Sequence, residues 1–305
     1  MKGWILYKRN RQELTANDHG VNRFLAVANK LQIELEVFKP EQFELIVAKP
    51  KDQIILLDGK KTSLPDFIIP RLGAETSYHA LNVIRQLELL GVCSINTSKA
   101  IETVKDRMRV GQLLTYYQLP VPKTMTLNFP IPLETIKKEI GFPLVIKNMT
   151  SARGIGVSLC ETIESFQDLM GLLGNQFNQQ LVIQEFIANS YGRDLRVFVV
   201  GQEIVGCMQR ISKSGFKANY SLGGNVEPFD ITPEIAKLAL ECTKIVNLDI
   251  SGVDLLFGQD GYLICEANSS PGFKGMELAT EEDIAKKIMH YAISKAKKFK
   301  TEATK

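Results

Sequence analysis

Hydropathy patterning changes character part-way along the chain, and that change limits the folds open to it. Through the first third, strand-like and helix-like segments alternate: residues 4–7, a helical stretch near 21–31, alternating 33–38, then 67–70 and a helix over about 78–90. Such alternation predicts a parallel α/β lobe. Ser94-Ile95-Asn96 reads as one more short strand, after which Ser98 caps a helix running through Asp106 and Leu114. Pro120 and Pro122 break the pattern, so a lobe boundary falls between 95 and 125. From Pro143 onward short β segments dominate, at 144–147, 156–159, 181–186, 195–200 and 203–206, with Gly201-Gln202 as a tight hairpin turn. A helix lies near 165–173. Thr232 and Pro233 open another that reaches about Val246, strands 252–257 and 262–267 follow, and a closing helix starts near Thr280 with Asp283 completing its capping box. The second half is an α+β lobe.

The 305 residues, 45% of them hydrophobic, are enough for two or three lobes of roughly 100 residues each. A net charge of +3 is too small to imply nucleic acid. Cys93, Cys160, Cys207, Cys242 and Cys265 show no metal-ligand spacing and read as small buried apolar residues. The opening residues read as a first strand, not a secretion signal, and no apolar run approaches the roughly 18 to 20 residues of a membrane span. A cytoplasmic location with no membrane contact is the expectation. The basic run 295–300 reads as the solvated end of a helix.

Two segments carry chemistry. In Asp254-Leu255-Leu256-Phe257, a turn, and Tyr262-Leu263-Ile264-Cys265-Glu266-Ala267-Asn268, period-two alternation puts Glu266 and Asn268 on one face of a strand. A hairpin partner sets Asp254 beside them. Three hard oxygen ligands at an open site suit a nucleotide-bound magnesium ion, although an ordinary hairpin with a polar face has the same pattern. The second segment is Lys147, followed by Ser151-Ala152-Arg153-Gly154-Ile155-Gly156-Val157. A glycine-bearing loop brings backbone N–H groups to phosphate oxygens, with the lysine adding charge. It matches neither the P-loop nor the dinucleotide fingerprint, and a plain hairpin turn remains open.

The ordered set Pro70-Arg71-Leu72-Gly73, Lys105-Asp106-Arg107, Pro143-Leu144-Val145-Ile146-Lys147, Gly154-Ile155-Gly156-Val157, Gln184-Glu185-Phe186-Ile187, Asp194-Leu195-Arg196, Gly252-Val253-Asp254 and Glu266-Ala267-Asn268-Ser269-Ser270-Pro271-Gly272 resembles the RimK-type ATP-grasp ligases. The resemblance runs from about residue 65 to 290 and more loosely through the start. It implies an ATP-grasp fold in which an N-terminal parallel α/β lobe (1–95) precedes two α+β subdomains (96–185 and 186–305) that enclose ATP. It also implies that Lys147 and Arg107 meet phosphates, that Arg153, Gly154, Ile155 and Gly156 close over them, and that Gln184, Glu185, Phe186 and Ile187 meet the adenine. Asp194 falls at the nucleotide, and Asp254, Glu266 and Asn268 at Mg2+, with Mn2+ as a substitute. Arg196, Arg210, Lys217 and Asn219 correspond to residues facing the phosphates or the carboxylate substrate, and Arg71 to the acceptor side.

Departures accompany the match. Arg107 stands where the family usually has lysine, Ser151-Ala152-Arg153 replaces a Gly-Thr-Gln-like stretch, and Tyr220-Ser221-Leu222 lacks a His-Arg pair. The implied activity is an ATP-dependent carboxylate–amine ligase working through an acyl phosphate, with glutamate as the favoured amino acid. The acceptor would be a carboxylate of a protein, peptide or small molecule. A small-molecule kinase and a non-catalytic ATP-binding regulator are the alternatives. Assembly as a homo-oligomer is compatible with the family and unmarked in the sequence, and His19, His79 and His290 read as surface or packing residues.

Overall fold

A computed structural model describes residues 1–48, 54–127, 130–148, 156–173, 181–220 and 223–303. The first lobe is a parallel sheet with strand order Glu34–Phe38, Lys2–Leu6, Phe67–Pro70, Cys93–Ser94. Strand residues alternate between two cores, as a sheet covered on both faces requires. Trp4, Leu6 and Ile68 pack with the helix Tyr78–Leu89 and with Phe43 and Ile55, which belong to a small antiparallel sheet (Phe43–Ile46, Ile54–Leu57, Lys60–Lys61). Ile5, Phe67 and Ile69 pack the other way, against the helix His19–Lys30 and the last helix, Ile284–Ala303.

An antiparallel sheet forms the C-terminal part, in the order Asn225–Pro228, Glu203–Ile211, Arg193–Val200, Ile250–Phe257, Tyr262–Asn268. Leu195, Val197, Val253 and Leu255 bury one face beneath the helix Pro233–Ile245. Phe198, Val200, Met208 and Ile250 share the core of the N-terminal lobe instead. The central sheet, in the order Val157–Cys160, Leu144–Asn148, Leu181–Glu185, Thr124–Leu127, has its own core of Leu127, Ile136, Ile146, Phe166 and Ile183. By packing, Ala100, Val110, Leu114 and Leu119 join the core of the C-terminal sheet, not the central one.

Several local expectations change. The helix expected from Ser98 through Leu114 is two helices, Ser98–Lys105 and Arg107–Tyr116, because Asp106 is extended (ψ 99°) and its carboxylate caps the second through the N–H of Arg109. Thr97, not Ser98, caps the first. Thr280 ends a helix, Lys274–Thr280, that periodicity did not reveal, and Asp283 caps the next by accepting from the N–H of Lys286 at 2.9 Å. Within the basic run, Lys295 is anchored rather than solvated, donating to Asp249 at 2.6 Å.

Asn96 ties the lobes together. It is 1% exposed; its Nδ2 donates to the carbonyls of Ile250 (2.8 Å) and Ser269 (2.7 Å), and its Oδ1 accepts from the N–H groups of Asp249 and Ile250. Ser269 directly follows Asn268, so this side chain sets the end of the polar strand. Replacing Asn96 with Ala strands these four backbone groups and is expected to cost about 2 to 4 kcal/mol of stability. Urea unfolding of the variant checks it, and an unchanged midpoint would show that the tie is dispensable.

Candidate active site

One face of the C-terminal sheet gathers the charged residues by register alone. Asp194 pairs with Arg210, Arg196 with Asp254, Asp254 with Glu266, and Gly252 with Asn268. Directly paired residues share a face, and so do residues two apart. Asp194, Arg196, Arg210, Asp254, Glu266 and Asn268 therefore form one polar field. It lies at the opposite end of the same face from Phe198 and Val200, which enter the N-terminal core.

The field is nearly closed on itself. Arg196 grips Asp254 with Nε and, at 2.6 Å, with Nη2; Arg210 Nη2 adds a contact to Asp254 at 2.9 Å. Both oxygens of Asp194 accept from Arg210 at 2.6 Å. Burial pushes Asp254 upward while Arg196 and Arg210 pull it down; burial likewise opposes the charge of Arg210, yet Asp254 and Asp194 hold it above the usual arginine range. Glu266 accepts from Arg107 Nη1 at 2.7 Å. Burial would raise Glu266, but Arg107, Lys147 and Arg196 keep it well below the usual carboxylate range. Asn268 Nδ2 reaches Glu266 Oε1 at 3.2 Å and the carbonyl of Gly252 at 3.3 Å.

The central sheet faces this field. Lys147 pairs with Val182 and Gln184 with Val145, which puts both polar side chains on one face, where Lys147 Nζ donates to Gln184 Oε1 at 2.6 Å. Lys147 Nζ also approaches Cys265 Sγ at 3.5 Å. Cys265 was expected to be a buried apolar residue; it is half-buried in the site, unlike the other four cysteines. The register shift between Asp254 and Leu255 explains why: Asp254 pairs with Glu266 but Leu255 with Ile264, leaving Cys265 unpaired in a bulge beside Glu266. No periodicity argument finds a bulge.

Three cavities meet at Glu266. A small one of about 120 Å3 lies between Val145, Phe186, Ile187, Phe216 and Leu256, and also takes in Arg107, Lys147, Gln184, Glu185, Asp194, Arg210, Lys217, Asn219 and Asp254. A mainly apolar one of about 400 Å3 runs beneath it past Val104, Val110, Leu114 and Ile264. The third, about 530 Å3, opens between the C-terminal sheet and the N-terminal lobe, with Arg196 and Asn268 on one wall and Arg9, His19 and Arg71 on the other. Gly156 (φ 66°) precedes the strand Val157–Cys160 and lines none of these; Arg153, Gly154 and Ile155 lie outside the described residues.

The family model for RimK-like ATP-grasp domains matches residues 104–292, and that for the RimK pre-ATP-grasp domain matches 13–101. The chain belongs to the RimK-like ATP-grasp family. A "Probable alpha-L-glutamate ligase" of Thioalkalivibrio sulfidiphilus is 33% identical over 93% of this chain and 94% of its own length. A RimK domain protein of Sphaerobacter thermophilus superposes with a TM-score of 0.72 at 17% identity, covering 96% of this chain and all of that one. The ATP-grasp ligase PsnB, solved with its precursor peptide PsnA2 and AMPPNP, gives 0.71 at 18% identity over 96% of this chain and 98% of that one. This RimK-like chain is thus an ATP-using ligase that forms carbon–nitrogen bonds. Among the described residues no helix is long and apolar enough to cross a membrane.

The residues that reading the sequence missed lie on the N-terminal wall. Lys8, Arg9 and Asp18 follow the first strand of this RimK-like ligase, and ligand sites of parallel sheets gather beyond the carboxyl ends of strands. That positional rule could have found them. His19, expected to be a surface or packing residue, lines the cavity and contacts Glu277 at 2.7 Å.

Arg210→Ala leaves two buried carboxylates short of a partner and is expected to cost about 3 to 5 kcal/mol, read by urea unfolding. Burial would raise Asp18, but hydrogen bonds from Thr15, Tyr7 and Arg9 hold it at about 2, below its usual 3.8. Its folded value is depressed, so its contribution is complete well above 3.8 and fades as pH falls through about 2. Asp18→Asn should therefore narrow the gap between wild type and variant as the pH is lowered; a constant gap would contradict the assignment.

Proposed function

We propose that this chain activates a carboxylate as an acyl phosphate with ATP and joins it to the amino group of an amino acid, with L-glutamate favoured and a protein or peptide carboxylate as acceptor. The observation that carries the reading is the position of Glu266, where a cleft between the central and C-terminal sheets and a cation-lined cavity meet on one polar face. The names of the relatives support glutamate, and the peptide bound to PsnB supports a peptide acceptor.

In this reading the adenine lies among Phe186, Ile187 and Leu256, with the backbone of the Glu185–Ile187 stretch available to its edge. Lys147 and Arg107 neutralise phosphate charge, a role in which Arg107 exchanges Glu266 for a phosphate oxygen. Asp254, Glu266 and Asn268 would hold Mg2+, or Mn2+ in its place. The donor set fits: two carboxylates and an amide share one face, and phosphate oxygens would complete the shell. Bound there, the ion would neutralise the charge that develops on the transferred phosphoryl group.

The acceptor carboxylate attacks the γ-phosphoryl group in line and releases ADP; the amine then attacks the acyl carbon and inorganic phosphate leaves. Arg196 and Arg210 would steady the charged oxygens through both steps, and Lys217 and Asn219 would flank them. Positioning and charge supply the rate, so no enzyme nucleophile is required. The test is ADP release with ATP and Mg2+ across amino acids, with and without peptide or small carboxylate acceptors, followed by product mass. Ligation requires both co-substrates and a mass gain of one amino-acid residue, that is, the amino acid less water; release with a hydroxyl acceptor and a phosphate mass gain would overturn it. Glu266→Gln is expected to lower turnover by about 100-fold or more in a folded variant, and near-normal activity would contradict the metal assignment.

A further inference from the structure

Of the four arginines that line the inter-lobe cavity, Arg71 has no ion-pair partner among the described residues. Around its walls, Arg9 is paired with Asp18 at 2.8 Å, Arg196 and Arg210 with Asp254, and His19 with Glu277. Arg71 differs. It follows the strand Phe67–Pro70 and sits between two aromatic rings, its guanidinium carbon 5.8 Å from the Phe24 centroid and 5.7 Å from that of Phe273. Its Nη2 donates to the carbonyl of Pro271 at 2.7 Å, whereas Nη1 is buried without an acceptor among the described residues. No carboxylate among the described residues forms an ion pair with it, and burial lowers it to about 10. A guanidinium taken out of water without a counter-ion is costly, and the aromatic rings and one carbonyl do not replace a full negative charge.

Resting on the ligase reading, we infer that Arg71 anchors an unreacted carboxylate of the substrate pair. The carboxylate that is phosphorylated must lie at the opposite wall, beside Glu266 and Asn268, because the phosphoryl group is delivered there. A second carboxylate on the same molecule, or one on the incoming amino acid, reaches across the roughly 530 Å3 cavity to the N-terminal wall. The planar fork of an arginine suits a carboxylate better than the point charge of a lysine. The bond to Pro271, in the loop after Asn268, links the anchor to the polar strand, so an occupied Arg71 holds that loop against the first lobe. Arg71 is in this sense a specificity residue: it selects substrates that carry a free acid beyond the one being joined.

The experiment is calorimetric titration of the full chain, loaded with Mg2+ and a non-hydrolysable ATP analogue. L-glutamate, L-glutamine, L-isoglutamine, N-acetyl-L-glutamate and N-acetyl-L-glutamine are titrated into wild type and into Arg71→Gln. Wild type is expected to bind an acid about 10- to 100-fold more tightly than its amide, and Arg71→Gln to lose that preference while binding the nucleotide unchanged. A preference confined to the free amino acids assigns the anchor to the incoming amino acid, and one shared by the N-acetyl acid assigns it to the acceptor. Absence of any acid preference in wild type, or its survival in Arg71→Gln, overturns the inference. Should Arg71→Gln fail to fold, Arg71→Lys serves: acid binding should weaken about tenfold with amide binding unchanged, and equal weakening of both overturns it. Product analysis reports the ligase reading separately, since an acid preference without amide product leaves the anchor standing and removes the ligation.

Discussion

Two guanidinium groups on one buried carboxylate organise this molecule. Asp254 sits inside the C-terminal sheet; Arg196 reaches it from the adjacent strand and Arg210 from the strand beyond that, while Asp194 satisfies the outer side of Arg210. Each charge alone would be untenable at that burial; together they neutralise one another and fix three strands in register. The polar field that results is a rigid floor, and Glu266 and Asn268 are held on its next strand at a spacing set by the sheet. The same strands turn apolar toward Phe198 and Val200, so the floor is bolted to the core of the first lobe.

That shared core divides the molecule mechanically. The parallel sheet, the C-terminal sheet and the last helix bury residues together, with Asn96, Asp249 and Lys295 bridging them. The central sheet has a separate core and meets the floor mainly through polar contacts such as Lys147 with Cys265. The two sides of the polar field are thus built differently. The inter-lobe cavity is built from elements that share a core, whereas the cleft beside Phe186 and Leu256 lies between elements that do not.

Much of this was legible in the sequence where local periodicity decides. Residues 67–70 and 78–89 were readable because apolar side chains repeat at strand and helix spacing, and Thr232-Pro233 announced its helix through a cap and a fixed φ. Glu266 and Asn268 were readable as a same-face pair because a strand has period two. Cys265 was not, since a bulge breaks that period. Nor were the partners of Asp254, because they come from strands about 45 to 60 residues away and pairing across a sheet leaves no local signal. The helix Lys274–Thr280 is seven residues long and was masked by the stronger cap at Asp283. Arg71 was visible as a residue of the family motif, but the lack of an ion-pair partner for it among the described residues is a property of the folded cavity alone.

In the proposed reaction a carboxylate is activated as an acyl phosphate on this floor. The most direct measurement uses an acceptor with heavy oxygen in both carboxylate oxygens and reads the inorganic phosphate released during turnover by mass spectrometry. Attack on the γ-phosphoryl group makes one labelled oxygen the bridge, and departure of phosphate carries it away. One heavy oxygen in each released phosphate is the predicted result; unlabelled phosphate, with the label retained in full by the product, would contradict the account.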